Sequence, residues 1–350
     1  TTLSGAIYRI APPGFKPKIP KFNLNTTHGQ IEALKSPAVN VRNLGFEKLR
    51  AAGPNALRPV TKLLKDENPF VSARAVWLLS QMGGTGVATV QSLLQDDSPA
   101  FRLLAFRALR RLDYHLLDYS WRLALDPSPM VRREVALAQR DLSFADSKQV
   151  LLALARGYDG VDRTYLEAFG LGCAGKESEM YDLVASAVDS TDPLKWPASF
   201  AGIAWRLHPP QTVPAFQARA LAANLPLKDR KAALVALGFI PTRESAEAVA
   251  QVAAQSTNEI RADAIWWLLH GKDAQWKNLG VTERLKRDGI YDPEKIALIE
   301  VKVSPQRDVG FDSIANRIAR FPEANTAAGR TPTPRFHRPH GVRGTVYRPR

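Results

Sequence analysis

Val60-Thr61-Lys62-Leu63-Leu64-Lys65-Asp66-Glu67-Asn68-Pro69-Phe70-Val71-Ser72-Ala73-Arg74-Ala75-Val76-Trp77-Leu78-Leu79 is followed, 30 residues on, by Val90-Gln91-Ser92-Leu93-Leu94-Gln95-Asp96-Asp97-Ser98-Pro99-Ala100-Phe101-Arg102-Leu103-Leu104-Ala105-Phe106-Arg107-Ala108-Leu109. The register runs back to Val41-Arg42, Gly45, Phe46 and Leu49, and forward to Leu123, Asp126, Ser128-Pro129, Val131-Arg132, Val135 and Ala136. A fixed period of this length means repeated supersecondary units.

Each unit reads as two short helices. Val60, Leu63 and Leu64 form one apolar stripe, and Val71, Ala75, Leu78 and Leu79 form the next, at the spacing of one helix face. Between them, an acidic residue followed by Asn-Pro or Ser-Pro places proline in a first helical turn, where its missing N–H costs nothing. Two ten-residue helices cannot bury both stripes alone, so each pair must stack on its neighbours. The expected fold is therefore all-α, a right-handed α-solenoid of about eight helical pairs.

Four segments are expected. Residues 1–25 hold one strand-like stretch, Gly5–Ile10, and a linker with Pro12, Pro13, Pro17 and Pro20. Residues 26–271 form the solenoid, its first helix capped near Thr26-Thr27 and its register loosening after residue 140. Residues 272–322 form a mixed cap, with a helix at Thr282–Arg287 and a strand at Ile296–Val303. Residues 323–350, rich in Pro, Arg, Gly, Thr and His, read as a disordered basic tail. The absence of an initial methionine suggests a lost upstream leader or domain.

The formal net charge of +14 sits mostly at the ends. Residues 26–300 hold 34 Lys and Arg against 31 Asp and Glu, which leaves the solenoid nearly neutral. A solenoid that grips phosphates needs a basic groove, so nucleic acid is not the expected partner. One local exception is 101–140, with eight Arg against four acids. The single cysteine, Cys173, excludes an internal disulfide framework and a thiolate metal cluster. No run approaches eighteen apolar residues, so no membrane span is expected.

Candidate motifs mostly have structural readings. Gly170-Leu171-Gly172-Cys173-Ala174-Gly175-Lys176 resembles a phosphate loop on paper, but a helix precedes it and Glu177 stands where magnesium binding needs Ser or Thr. We read it as an inter-helix turn whose glycines supply positive φ. Arg42, Arg102 and Arg132 recur with Asp66, Asp96 and Asp126, which suggests a ladder that fixes repeat register and caps helix N-termini. Trp266, Trp267, His270 and Trp276 form the densest aromatic group and the candidate partner surface, with burial at the solenoid's end as its alternative reading; Trp196 and Trp205 form a second group. His337 and His340 are close in sequence but lack supporting ligands, and Asp159, Asp162 and Glu167 near Arg163 lack a nucleophile–base pair. No catalytic, cofactor-binding or metal residue is assigned.

These residues together resemble HEAT-repeat proteins. More narrowly, Gly5–Lys21, Gly29–Pro37, Tyr158–Glu177 and Gly289-Ile290-Tyr291-Asp292-Pro293 are similar to the HEAT-repeat region of planctomycete-type multidomain membrane-bound dehydrogenase-like proteins. In that set a β-propeller precedes the repeats and a c-type haem domain follows. The resemblance implies a connector between flanking protein domains, a periplasmic or membrane-associated setting, and Gly5–Ile10 as the last strand of a propeller. The Cys-x-x-Cys-His of a c-type haem has no counterpart here, since Cys173 is the only cysteine. The expected function is a non-enzymatic scaffold or protein-binding connector from a larger redox protein. The alternative is a nucleic-acid binder of the HEAT-like DNA-glycosylase type, with a basic groove centred on Arg102–Arg140.

Overall fold

A computed structural model of the chain describes residues 12–16, 21–188 and 190–290. The expected strands at Gly5–Ile10 and Ile296–Val303, the tail from 323 and the His337–His340 pair lie outside the described residues.

Among the described residues the regular structure is helical throughout. The helices fall into eight pairs: α1 (Thr27–Lys35) with α2 (Val39–Ala52), α3 (Pro54–Lys62) with α4 (Pro69–Leu79), α5 (Gly83–Ser92) with α6 (Pro99–Arg111), and α7 (Leu116–Leu123) with α8 (Pro129–Ala138). They continue as α9 (Phe144–Arg156) with α10 (Arg163–Gly172), α11 (Glu177–Ser186) with α12 (Ala198–Leu207), α13 (Val213–Leu221) with α14 (Leu227–Phe239), and α15 (Arg243–Gln255) with α16 (Asn258–Gly271). A short α17 (Val281–Arg287) follows. The described residues form an all-α solenoid.

The repeated turn explains why the helices start where they do. A 3-10 turn ends at Leu63–Lys65 and again at Leu93–Gln95. The Asp that follows then accepts the N–H two residues on: Asn68 to Asp66 at 3.0 Å, Ser98 to Asp96 and Ser128 to Asp126 both at 2.8 Å. Pro69, Pro99 and Pro129 each occupy the first helical position, and Asn68 caps α4 by accepting from Phe70 N–H. The turn is thus a side-chain device that satisfies the first free donors of the next helix.

Columns identified by period are columns of the core. Ala75, Ala105 and Val135 are fully buried, as are Val76 and Ala136, Leu49 and Leu79, and Val60 and Val90. Gly45 holds the same column in the first pair because α1 and α2 approach too closely for a side chain. A Cβ at Gly45 would lie 2.5 Å from Leu34 N.

Second helices form one continuous layer, with α2, α4, α6, α8, α10, α12, α14 and α16 each packed on the next. The apolar interior comes in two bodies that meet at α6. Ala105, Ala108 and Leu109 of α6 complete the core of the first three pairs, while Leu103 and Phe106 belong to the core that runs on to the C-terminal end. That second core includes Trp276, Val281 and Leu285. Helix α17, at the place of the helix expected over Thr282–Arg287, covers an apolar end that the last pair would otherwise expose.

Candidate functional site

Three groups of residues were candidates, and geometry treats them differently. The Arg and Asp columns do not make a continuous ladder. Arg102 forms a two-pronged ion pair with Asp126 of the next repeat, Nε to Oδ2 at 2.7 Å and Nη2 to Oδ1 at 2.8 Å, while Nη1 donates to Asp96 O and Asp97 O. Its guanidinium pKa is raised, first by the bond to Asp126. Asp96 has no such arginine, because Ser72 occupies the arginine column one repeat earlier. Asp66 is held by Lys35 at 3.1 Å, and Arg42 donates to Pro37 O at 3.4 Å. Arg132 finds Arg156 and Gly157 where the next acid would stand; it donates to Asp126 O, Pro127 O and Gly157 O, and its Nε is buried without a partner. One rung, Arg102–Asp126, replaces the expected ladder: Arg42 and Asp66 stand at the same 24-residue step, but Lys35 holds that carboxylate instead. In the column two residues later Asn68 caps its helix with its side chain, while Ser98 and Ser128 make no such bond.

The phosphate-loop lookalike is a packing junction. Gly170 and Gly172 lie within α10, where a Cβ at Gly172 would come 2.3 Å from Ala136 O and one at Gly170 would meet the Arg206 side chain. Of the three glycines, Gly175 has the positive φ expected of the turn, at +74°. Lys176 is buried, and its Nζ donates to Gln139 O and Leu142 O at 2.8 Å and to Arg140 O at 3.2 Å. It caps the carbonyl end of α8, and burial lowers its pKa. Cys173 is fully buried, and burial pushes its thiol well above the ordinary range. The carboxylates nearby are equally occupied: Asp162 caps α10 through Tyr165 N–H, and Glu167 binds Arg163 and Arg206.

The tryptophan group divides. Trp276 is not a surface residue: it is fully buried, donates from Nε1 to Ile240 O at 2.9 Å, and packs its ring where Gly271 leaves room. Trp267 is half-buried over Gly238, where a Cβ would collide with its ring. Trp266 remains 38% exposed and stacks on His270 with centroids 4.3 Å apart. Sequence reasoning missed two members of this surface. Phe239, 56% exposed at the end of α14, meets Trp267 edge-on at 5.4 Å, and His208, in the left-handed conformation after α12, lies 5.9 Å from Phe239. His208, Phe239, Trp267, Trp266 and His270 thus form one aromatic row across three successive second helices. Nothing local marks Phe239 or His208, since only stacking brings them beside the tryptophans.

The second tryptophan pair is also split. Trp196 is interior, edge-on to Phe200 and Phe216, with Nε1 donating to Ser190 O. Trp205 lies under the Arg163 guanidinium at 4.4 Å and lines a cavity of about 610 Å³ between α10, α12 and α14. Lys231 on that cavity is held by Glu259 and Asp263, which raise its pKa.

In the basic segment 101–140, Arg102 pairs with Asp126, Arg107 and Arg110 with Glu134, and Arg133 with Asp162. Among the described residues no group of three His, Cys, Asp or Glu could hold a metal, and no helix is long and apolar enough to cross a membrane. Compared with known proteins, the chain matches no family model and no curated sequence.

Proposed function

We propose that this chain is a non-enzymatic scaffold of the HEAT-repeat type, which spaces and binds flanking protein domains as one part of a larger multidomain redox protein. The observation that supports this reading best is the unbroken second-helix layer from α2 to α16. Repeats that pack only on their neighbours give a body that is stiff along its stack, so its length sets a distance between whatever is joined at its ends. The aromatic row from His208 to His270 is the surface for one of those domains. Exposed aromatic rings supply contact area at little entropic cost, and they sit where the solenoid ends.

The resemblance to the dehydrogenase-like set supports the redox setting, and the partners it implies are a propeller on the N-terminal side and a haem domain on the C-terminal side. A nucleic-acid reading gains little from the arginines of 101–140, since four of them already hold carboxylates.

The test is a repeat deletion in the full-length gene product. Removing residues 67–96, one period, should shorten the separation of spin labels placed in the two flanking domains, measured by pulsed dipolar spectroscopy. Phe239→Ala with Trp266→Ala should weaken association of the adjoining domain, supplied as a separate polypeptide, by about tenfold or more. An unchanged separation after the deletion, or unchanged association in the double variant, would overturn the reading.

A further inference from the structure

The first-helix layer has a seam between α5 and α7. The two helices are joined across it by the Gln91 Nε2 to Tyr119 Oη bond at 2.6 Å, and on either side of that bond lie cavities of about 530 and 590 Å³, both lined by Gln91, Tyr119 and Arg122. Helix α7 and the turn after it carry an exposed apolar row beside them: Leu117 at 43% and Trp121 at 50% on the helix, and Leu125 at 68% two residues past its end. Leu117 and Trp121 are spaced i and i+4, which puts them on one ridge of the helix surface, and Leu125 follows at the next step in the turn.

The 30-residue register shows that Trp121 and Leu125 are peculiar to this repeat, whereas Leu117 continues an apolar column with Leu57 and Val87. Where Trp121 stands, the two preceding repeats have Thr61 and Gln91; where Leu125 stands, they have Lys65 and Gln95. The same outward columns are polar twice and apolar once. Stacking within the chain does not account for the change, since Trp121 and Leu125 remain exposed in the packed solenoid.

Charge placement says what covers the ridge. Asp118 and Arg122 lie four residues apart on α7, alongside the apolar row, and both are exposed. In an antiparallel pairing of two identical helices about a two-fold axis near residue 120, residues on one flank meet residues of the same flank at mirrored heights. Asp118 of each copy then faces Arg122 of the other, and the two Trp121 side chains lie one position to either side of the axis, with Leu117 and Leu125 of each copy further out. A self-complementary patch of this kind is what a two-fold interface requires.

We propose that the chain forms a homodimer through antiparallel α7 helices, with the Leu117–Trp121–Leu125 ridge as its apolar centre and two reciprocal Asp118–Arg122 pairs as its flank. This interface is separate from the aromatic row and independent of the connector reading. Its charged pairs specify partner and orientation more than they add affinity.

The test is sedimentation equilibrium of the full chain from 1 to 200 µM, with circular dichroism to confirm that each variant is folded. The unaltered chain should dimerise. Asp118→Arg alone places two arginines together at each contact, and Arg122→Asp alone places two aspartates together, so each should weaken dimerisation by about tenfold or more. Mixing the two variants restores opposite charges at both contacts and should give a heterodimer, and the D118R/R122D double variant should dimerise again. A chain that stays monomeric throughout, a dimer indifferent to both reversals, or a mixture that remains monomeric would each overturn the proposal.

Discussion

Replacing Asp126 by Ala isolates what the single Arg102 rung contributes, because the repeat supplies its own control at Asp96. Both carboxylates accept the N–H of the serine two residues later at 2.8 Å. Losing that bond to a charged acceptor costs about 1.5–3 kcal/mol in either case. Asp126 alone also takes two bonds from Arg102, and this pair is buried, with the Arg102 side chain 12% and the Asp126 side chain 3% exposed. Removing one partner of a buried pair leaves an uncompensated charge and costs about 3–5 kcal/mol. Asp96→Ala should therefore lower stability by about 1.5–3 kcal/mol and Asp126→Ala by more, about 3–5 kcal/mol. At roughly 2 °C per kcal/mol for a body of this size, the second change lowers Tm by about 6–10 °C. Thermal and urea unfolding followed by circular dichroism would measure both. Arg102→Met added to Asp126→Ala should recover part of the loss, since no charge then remains buried. Equal losses for Asp96→Ala and Asp126→Ala, or no recovery in the double variant, would refute the account of the rung.

Glycine positions offer a paired test of close packing. Gly172→Ala should destabilise by about 1–3 kcal/mol, since the new methyl meets Ala136 O, whereas Gly84→Ala, whose Cβ has no neighbour within 4 Å, should stabilise by about 0.4–1 kcal/mol through the unfolded state. Chemical denaturation midpoints that move in the same direction for both would contradict the packing read at α10. A third expectation concerns acid. The Asn68 N–H, and then Lys35, hold the Asp66 carboxyl below its ordinary 3.8. A depressed folded pKa contributes stability that is present above 3.8 and is lost as pH falls through the lower folded value. Asp66→Asn should flatten the acid limb of stability below pH 4 by less than about 1 kcal/mol, since the Lys35 end of the pair is well exposed. Urea midpoints at pH 5, 4, 3 and 2 that fall as steeply in the variant as in the parent would count against this assignment.

Much of the fold was legible because its determinants are local and repeated. Asp66, Asp96 and Asp126 take their N–H groups from residues two positions away, so the turn needs no tertiary help. Helix starts at Pro69, Pro99 and Pro129 follow from the same short motif. The candidate surfaces were less legible. Trp276 and Trp266 stand in one aromatic cluster in sequence, yet Gly271 and Ile240 O draw the first indole inside while the second faces outward. Phe239, exposed, and His208, half-buried, are next to that cluster only through the stacking of α12, α14 and α16.

The sequence by itself determined the period, the eight helical pairs, the buried columns and the neutral charge of the repeats. These depend on which residues recur at 30-residue spacing, and stacking can only reproduce them. The tertiary structure decided which polar groups are already occupied. Lys176 is spent on the carbonyl end of α8, Arg102 on Asp126 and Trp276 on Ile240 O, partners from 24 to 37 residues away. A side chain's chemistry is available for function only when packing leaves it unpartnered, and which neighbours reach it is settled by how one repeat lies on the next.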